Sequence, residues 1–141
     1  MYTIIIFDFY RTLYDPDIED LMPDSLMVLK SLWQSNFELI LITRKEQGRP
    51  ELIESLDIDK YFSQILQVNE KGRALQKVIK SHPERSFVVI GDRAHEEIVI
   101  GNKLGAKTIW LRAGKFASEL PESFKPTHTV NSLIEILPLL S

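Results

Sequence analysis

The chain has 141 residues, 44% of them hydrophobic, which is long and apolar enough for one domain over residues 1–141 with a real core. Lys and Arg number 17 against 20 Asp and Glu, and this mild negative balance argues against a nucleic-acid partner. The sequence contains no cysteine, so disulfides, thiolate catalysis and zinc–thiolate sites are excluded.

The residues before the first predicted strand lack the basic region of a signal peptide, and no apolar run is long enough to span a membrane. We therefore expect a soluble cytoplasmic protein without a membrane partner. Four short, largely β-branched or aromatic runs predict strands buried on both faces. They lie at 2–7, 39–42, 87–90 and 108–111.

Stretches of helical period separate or follow these strands, at 24–35, 71–81, 94–104 and about 131–138. In the first of them Leu26, Leu29, Leu32 and Trp33 share one face, which predicts that all four are buried. The segment 113–127 is predicted to be a long surface loop. Strands that alternate with helices favour a three-layer α/β/α, Rossmann-like fold with a parallel sheet.

Polar residues stand where the predicted strands end. Asp8 follows the predicted strand 2–7, Thr43 follows 39–42 and Asp92 follows 87–90, and Lys71 begins a helix just after the short run 65–68. Ligands of such folds bind beyond the carboxyl ends of the strands. Polar residues also follow buried strands merely because loops begin there, but four in this order favour a site. Carboxylates at Asp8 and Asp92 would repel one another without a cation, and oxygen ligands suit Mg²⁺.

The order of these residues resembles that of the haloacid dehalogenase superfamily, whose members are mainly Mg²⁺-dependent phosphohydrolases. The resemblance covers nearly the whole chain. Its motifs are Asp8-Phe9-Tyr10-Arg11-Thr12 after a hydrophobic strand, Thr43 after 39–42, Lys71, and Gly91-Asp92 followed by Glu96-Glu97-Ile98. The resemblance implies a superfamily fold, and the segments 8–43 and 43–71 leave no room for a large cap domain.

The resemblance also implies catalytic roles. Asp8 would be the nucleophile that forms an aspartyl-phosphate. Thr43 and Lys71 would bind the phosphoryl group, with Thr12 and Arg44 as further substrate-binding residues.

The resemblance implies a metal site at the same edge. Mg²⁺ would be held by Asp8, the Tyr10 carbonyl, Asp92 and the second acid of the fourth motif. That acid is Glu97, with Glu96 as a one-residue alternative.

Tyr10 departs from the pattern of the family's phosphatases, which carry an Asp general acid/base at this position. A phenol titrates near pH ~10, so it can donate a proton but is a poor base at neutral pH. Three functions therefore stay open: a weak Mg²⁺-dependent phosphohydrolase, a non-catalytic regulatory or binding domain, and a dehalogenase-type hydrolase. The third is suggested because L-2-haloacid dehalogenases also carry Tyr here. Without a cap, a large phosphorylated substrate or a partner subunit acting as a lid is favoured.

Overall fold

The computed structural model of the chain describes residues 3–112 and 125–140. Its strands are β1 Ile4–Phe7, β2 Tyr14–Asp15, β3 Asp20–Leu21, β4 Glu38–Arg44, β5 Gln64–Val68, β6 Phe87–Gly91, β7 Lys107–Leu111 and β8 His128–Val130. Within the described ranges, six of these strands form one sheet in the order β5-β4-β1-β6-β7-β8, and every neighbouring pair is parallel. This confirms the predicted parallel sheet. The other two, β2 and β3, form a small antiparallel hairpin directly after the first sheet strand.

The helices lie between the strands and after the last of them. They are α1 Ser25–Gln34, α2 Arg49–Ser55, α3 Lys71–Ser81, α4 Val99–Lys103 and α5 Leu137–Leu140. A π-helical turn at Ala94–Ile98 leads into α4, and 3-10 turns occupy Asp59–Tyr61 and Leu133–Ile136. The predicted helices at 24–35 and 71–81 are confirmed, whereas those at 94–104 and 131–138 each consist of two helical types. Sequence patterning did not identify α2, β8 or the β2–β3 hairpin.

The core has two parts, one on each face of the sheet. In β1, Ile5 and Phe7 point to the face covered by α1 and the C-terminal helical segment, while Ile4 and Ile6 point to the face covered by α3. All four residues are at most 3% exposed. Because both faces are covered, the strands read as continuous apolar runs, and this explains why they were recognisable from the sequence.

The buried face of α1 differs from the predicted one. Leu26 and Trp33 are 47% and 52% exposed, and the residues buried on this helix are Ser25, Val28, Leu29 and Leu32. The hydroxyl of Ser25 donates a hydrogen bond to the Leu13 carbonyl at 2.9 Å, which turns the helix so that its polar first residue faces inward. The spacing of Leu26 and Trp33 was helical, but it did not specify which side faces the sheet.

Two sequence expectations extend beyond the described residues. The predicted first strand begins at Tyr2, and most of the predicted loop 113–127, namely 113–124, also lies outside these residues.

No helix among the described residues is both long and apolar enough to cross a membrane. The described elements leave no separate cap domain over the sheet, in keeping with the expected capless fold.

Candidate active site

The strand register brings the predicted site residues to one edge of the sheet. The central strand β1 pairs with both β4 and β6, and Phe7 lies opposite Leu41 on one side and Ile90 on the other. Asp8 directly follows Phe7, while Thr43 and Asp92 lie two residues beyond these partners. Parallel strands that start in register also end together, so their terminal side chains converge.

Asp8 is buried at this edge and is held by three donors. Its Oδ1 accepts hydrogen bonds from the Phe9 N–H at 2.8 Å and from the Lys71 ammonium at 2.5 Å, and its Oδ2 accepts one from the Thr12 hydroxyl at 3.4 Å. Asp8 is only 5% exposed, and Thr12 is completely buried. Thr12 was predicted to bind substrate, but the structure places it beneath Asp8, where it can orient that carboxylate.

Lys71 is a buried cation that joins two carboxylates. It is the first residue of α3, is 8% exposed, and hydrogen-bonds Glu97 as well as Asp8. Burial lowers the pKa of Lys71, but the nearby charges of Asp8 and Glu97 raise it by more, so its pKa lies above the usual lysine value. The ammonium therefore stays charged and offsets part of the negative charge at this edge.

Asp92 is the second carboxylate at the end of the central strands. It is 2% exposed, and its backbone carbonyl accepts a hydrogen bond from the buried Trp110 indole at 2.9 Å, which fixes the turn after β6. Burial first, and then the charges of Asp8 and Glu97, raise the pKa of Asp92 to about 8. Its Oδ2 atom is buried and has no hydrogen-bond partner among the described residues.

Glu97, rather than Glu96, is the buried acid of the pair that the sequence left open. It is 6% exposed and lies over Gly91, where a Cβ atom would come within 2.9 Å of Glu97 Oε2. Burial, followed by the charge of Asp8, raises the pKa of Glu97 to about 7. Glu96 is more exposed and pairs with Arg44 across the cleft. The π-helical turn at Ala94–Ile98 carries both acids, and such turns often occur at functional sites.

The carboxylates fit a divalent cation. Two buried oxygens, Asp92 Oδ2 and Glu97 Oε2, lack partners within the described part of the chain, and burial, followed by the charge of Asp8, raises the pKa of both groups. Such oxygens are the ligands that Mg²⁺ prefers. In residues 3–112 and 125–140 no group of three or more His, Asp and Glu side chains is arranged around one metal position. A cation here would therefore also need carbonyl or water ligands, as is common for Mg²⁺.

Thr43 and Arg49 form a second part of the site. Thr43 is 1% exposed, and its Oγ1 accepts a hydrogen bond from Arg49 Nη1 at 2.5 Å. The sequence analysis did not identify Arg49. The Gly48-Arg49-Pro50 sequence is typical of a helix start, since Pro is favoured in the first turn, and could have predicted α2. The direction of the Arg49 side chain back toward Thr43 has no sequence signal.

Tyr10 lies at the rim of the site and is 42% exposed. Its ring centre lies 5.2 Å from the Arg49 guanidinium and 5.9 Å from that of Arg11. Arg11 has a positive φ of 63°, a conformation that favours glycine. No carboxylate occupies position 10, so the phenol is the only titratable group that this residue offers.

A cleft of about 400 Å³ contains these groups. Asp8, Tyr10, Thr43, Arg44, Lys71, Asp92 and Glu96 line it, together with Arg11, Glu46, Arg49 and Arg93. Of the predicted residues, Thr12 and Glu97 are not in this lining. Both are buried behind it and act on Asp8 or Lys71.

Comparisons with known proteins show which families and folds the chain resembles. A family model described as HAD-hydrolase-like matches residues 70–136. No curated protein matches the chain by sequence.

Solved structures resemble almost the whole chain. A candidate phosphatase from Clostridium difficile has a TM-score of 0.84 at 18% identity, with 99% of each chain covered. A candidate haloacid dehalogenase-like hydrolase from Burkholderia xenovorans has a TM-score of 0.81 at 14% identity, with 98% of this chain and 96% of the other covered. The D,D-heptose 1.7-bisphosphate phosphatase of B. bronchiseptica, complexed with magnesium and phosphate, has a TM-score of 0.75 at 14% identity, with 99% and 98% covered.

The fold is shared across the whole chain, and the family match includes Lys71, Asp92 and Glu97. The chain therefore has the fold of these haloacid dehalogenase-like structures, without a cap domain among the described residues, and its residues 70–136 are similar to the HAD-hydrolase-like family.

Proposed function

We propose that this chain is a Mg²⁺-dependent phosphohydrolase that acts through an aspartyl-phosphate on Asp8. One observation carries the proposal: the buried carboxylate of Asp8 lines the cleft with the Lys71 ammonium 2.5 Å from it, beside buried oxygens of Asp92 and Glu97 that have no hydrogen-bond partner among the described residues. A nucleophilic carboxylate must be charged, and a neighbouring cation favours that form.

The first step is attack by a carboxylate oxygen of Asp8 on phosphorus. The new bond joins that oxygen to phosphorus, and the bond from phosphorus to the leaving oxygen breaks. Thr43 and Lys71 offer hydrogen bonds to the phosphoryl oxygens, whose charge increases in the transition state. The leaving oxygen takes a proton, which the Tyr10 phenol or solvent can supply. Water then hydrolyses the aspartyl-phosphate, which releases phosphate and restores Asp8.

Asp8, Asp92 and the Tyr10 carbonyl would hold the cation, with Glu97 acting behind them, directly or through water. Mg²⁺ bound there would neutralise negative charge on the phosphoryl group. The proposal is supported by the two buried carboxylate oxygens without partners and by the magnesium and phosphate found with the B. bronchiseptica phosphatase of the same fold.

The substrate is proposed to be a large phosphorylated molecule. The cleft of about 400 Å³ has no cap domain over it in the described residues. Several cations surround it, which favours an anionic group at the bottom and leaves the rest of the substrate outside. No nucleic-acid surface is proposed.

The test is a hydrolysis assay on a generic aryl phosphate and on natural phosphoesters, with Mg²⁺ and with a chelator. The native chain should release phosphate with Mg²⁺ only, and Asp8→Asn should abolish the release while leaving the fold intact. A native chain that folds, binds Mg²⁺ and releases no phosphate from any of these esters contradicts the proposal.

Tyr10 supports a second candidate, a binding or regulatory domain that has lost turnover. A phenol at this position can donate a proton but is a poor base for the second step, and loss of a general acid/base costs about 10²–10⁴ in rate. This candidate expects phosphate or phosphoester binding without turnover. A dehalogenase would instead release halide from 2-haloacids, so the same assay with a haloacid separates all three.

A further inference from the structure

Arg49 is a buried cation in the cleft without a carboxylate partner. It is 8% exposed, and no Asp or Glu of the described residues lies within 4 Å of its guanidinium. Burial of an unpaired charge is costly, so such groups are usually paired or occupied by a ligand.

The other cations of the cleft lining differ from Arg49 in this respect. Arg44 pairs with Glu96, and Lys71 pairs with Asp8 and Glu97. Arg11 lies 3.7 Å from Asp17, and Arg93 lies 3.8 Å from Glu96. Carboxylates of the chain therefore already offset these charges, whereas the charge of Arg49 is available to an anion in the cleft.

Two aromatic rings hold Arg49 in place. Its guanidinium carbon lies 5.2 Å from the ring centres of both Phe9 and Tyr10, the two residues that follow Asp8. Cation–π contacts of this kind restrict a long side chain without neutralising it. The position of Arg49 is thus coupled to the loop that carries the nucleophile.

The hydrogen bond between Arg49 and Thr43 has a chemical consequence. A hydroxyl group has one hydrogen to donate and two lone pairs to accept with. Arg49 Nη1 occupies one lone pair of Thr43 Oγ1, so the hydroxyl hydrogen remains available for an acceptor, and the adjacent cation makes it a better donor. Thr43 lines the cleft together with Asp8, so that acceptor can be a ligand oxygen.

We propose that Arg49 and Thr43 form one anion-binding unit that receives non-bridging oxygens of the phosphoryl group attacked by Asp8. This inference rests on the proposed function and adds a residue to it. Arg49 binds by charge and directs the Thr43 hydroxyl toward the same group, while Phe9 and Tyr10 fix the guanidinium. The aromatic residue at position 10 thereby has a role besides proton transfer, because its ring helps to hold the guanidinium in place.

The experiment measures binding of inorganic phosphate by calorimetry, with Mg²⁺ present, to the native chain and to three variants. Arg49→Met removes the charge, and Arg49→Lys keeps the charge but replaces the planar guanidinium by an ammonium. Lys80→Met is the control. Lys80 is an exposed cation of α3 outside the cleft lining, so its loss changes net charge equally. Unfolding curves of each variant test that the fold is retained.

We expect Arg49→Met to weaken phosphate binding by ~10- to 100-fold, as for the loss of a charge-assisted hydrogen bond, and Arg49→Lys to recover part of the loss. Lys80→Met should bind phosphate as the native chain does. In steady-state hydrolysis Arg49→Met should raise KM and lower kcat together, since the group touches the phosphoryl oxygens in both states.

Two other outcomes overturn the inference in distinguishable ways. If Arg49→Met folds and binds phosphate as tightly as the native chain, Arg49 is not an anion-binding residue, whereas the proposed function survives. If neither the native chain nor any variant binds or releases phosphate, the proposed function fails and the inference fails with it. If Arg49→Met does not fold, Arg49→Lys and Thr43→Val are compared with the native chain instead. If both of these variants bind phosphate as tightly as the native chain, Arg49 and Thr43 do not form an anion-binding unit.

Discussion

The ammonium of Lys71 lies 2.5 Å from the carboxylate of Asp8, although 63 positions separate the two residues in sequence. The same ammonium hydrogen-bonds Glu97, and all three groups are at most 8% exposed. One cation thus offsets part of the charge of a buried acidic cluster. The arrangement places a cation against the proposed nucleophile and leaves negative charge that a divalent cation would offset.

Lys71→Met should destabilise the fold because it leaves buried carboxylates without their cation. Removing one partner of a buried ion pair costs about 3–5 kcal/mol, and we expect a loss of this size at pH 7.5 in urea denaturation. The loss should shrink toward pH 5, where the carboxyl groups of the cluster take up protons. Lys77→Met, an exposed change on the same helix, is the control. Equal stability of the two variants would contradict the role of Lys71.

Stability without Mg²⁺ should fall as pH rises from about 5 to 8. The folded-state pKa values of Asp92 and Glu97 are about 8 and about 7, above the value near ~4 of an unfolded carboxyl group. Between these limits the folded state binds more protons than the unfolded state, so raising the pH favours unfolding. Each group contributes at most about 1.4 kcal/mol per pH unit.

The measurement is urea denaturation in chelator at four pH values between 5.5 and 8.5. Asp92→Asn removes one of the two groups and should flatten the slope, and added Mg²⁺ should raise stability most at the alkaline end. A native chain whose free energy of unfolding rises throughout this range would argue against a buried, repelling pair.

Tyr10→Asp should raise phosphatase turnover, since it supplies a carboxylate that can donate and accept a proton. A tenfold gain corresponds to about 1.4 kcal/mol of barrier, well within what general acid/base catalysis supplies. Tyr10→Asn is the matched control, because it has the same size as the Asp variant but cannot transfer the proton. The Asp variant combined with Asp8→Asn should be inactive. If the Asp variant folds, binds Mg²⁺ and is no faster than the native chain, Tyr10 does not limit turnover.

Gly91→Ala should displace Glu97 from Lys71. The added Cβ would lie 2.9 Å from Glu97 Oε2, closer than real Cβ atoms come, and 3.0 Å from its Cδ, so the Glu97 side chain would have to move. We expect a loss of about 1–3 kcal/mol in unfolding free energy, as for other overpacked sites, together with weaker Mg²⁺ binding. Glu97→Ala makes room for the methyl group, so Gly91→Ala should cost less in that background. If Gly91→Ala lowers the unfolding free energy by the same amount in the Glu97→Ala background, the added methyl group does not clash with Glu97.

The apolar runs of the sequence determined the sheet. Strands such as β1 and β6 are covered on both faces, so every residue must be apolar, and this leaves a pattern that can be recognised without knowing the neighbours. The polar residues that end them, Asp8 and Asp92, were recognisable for the same reason, because a charge directly after a buried run marks a strand end. The choice between Glu96 and Glu97 was not determined, since both stand on one short turn.

Only the tertiary structure decided how side chains from distant segments meet. Arg49 is an ordinary charged residue at a helix start in the sequence, and its burial depends on Phe9 and Tyr10 packing against it. The face of α1 likewise depends on the contact between Ser25 and the Leu13 carbonyl, which left Trp33 exposed. Helical periodicity specifies which residues share a face, but the direction of that face is decided by packing and hydrogen bonds between residues far apart in the chain.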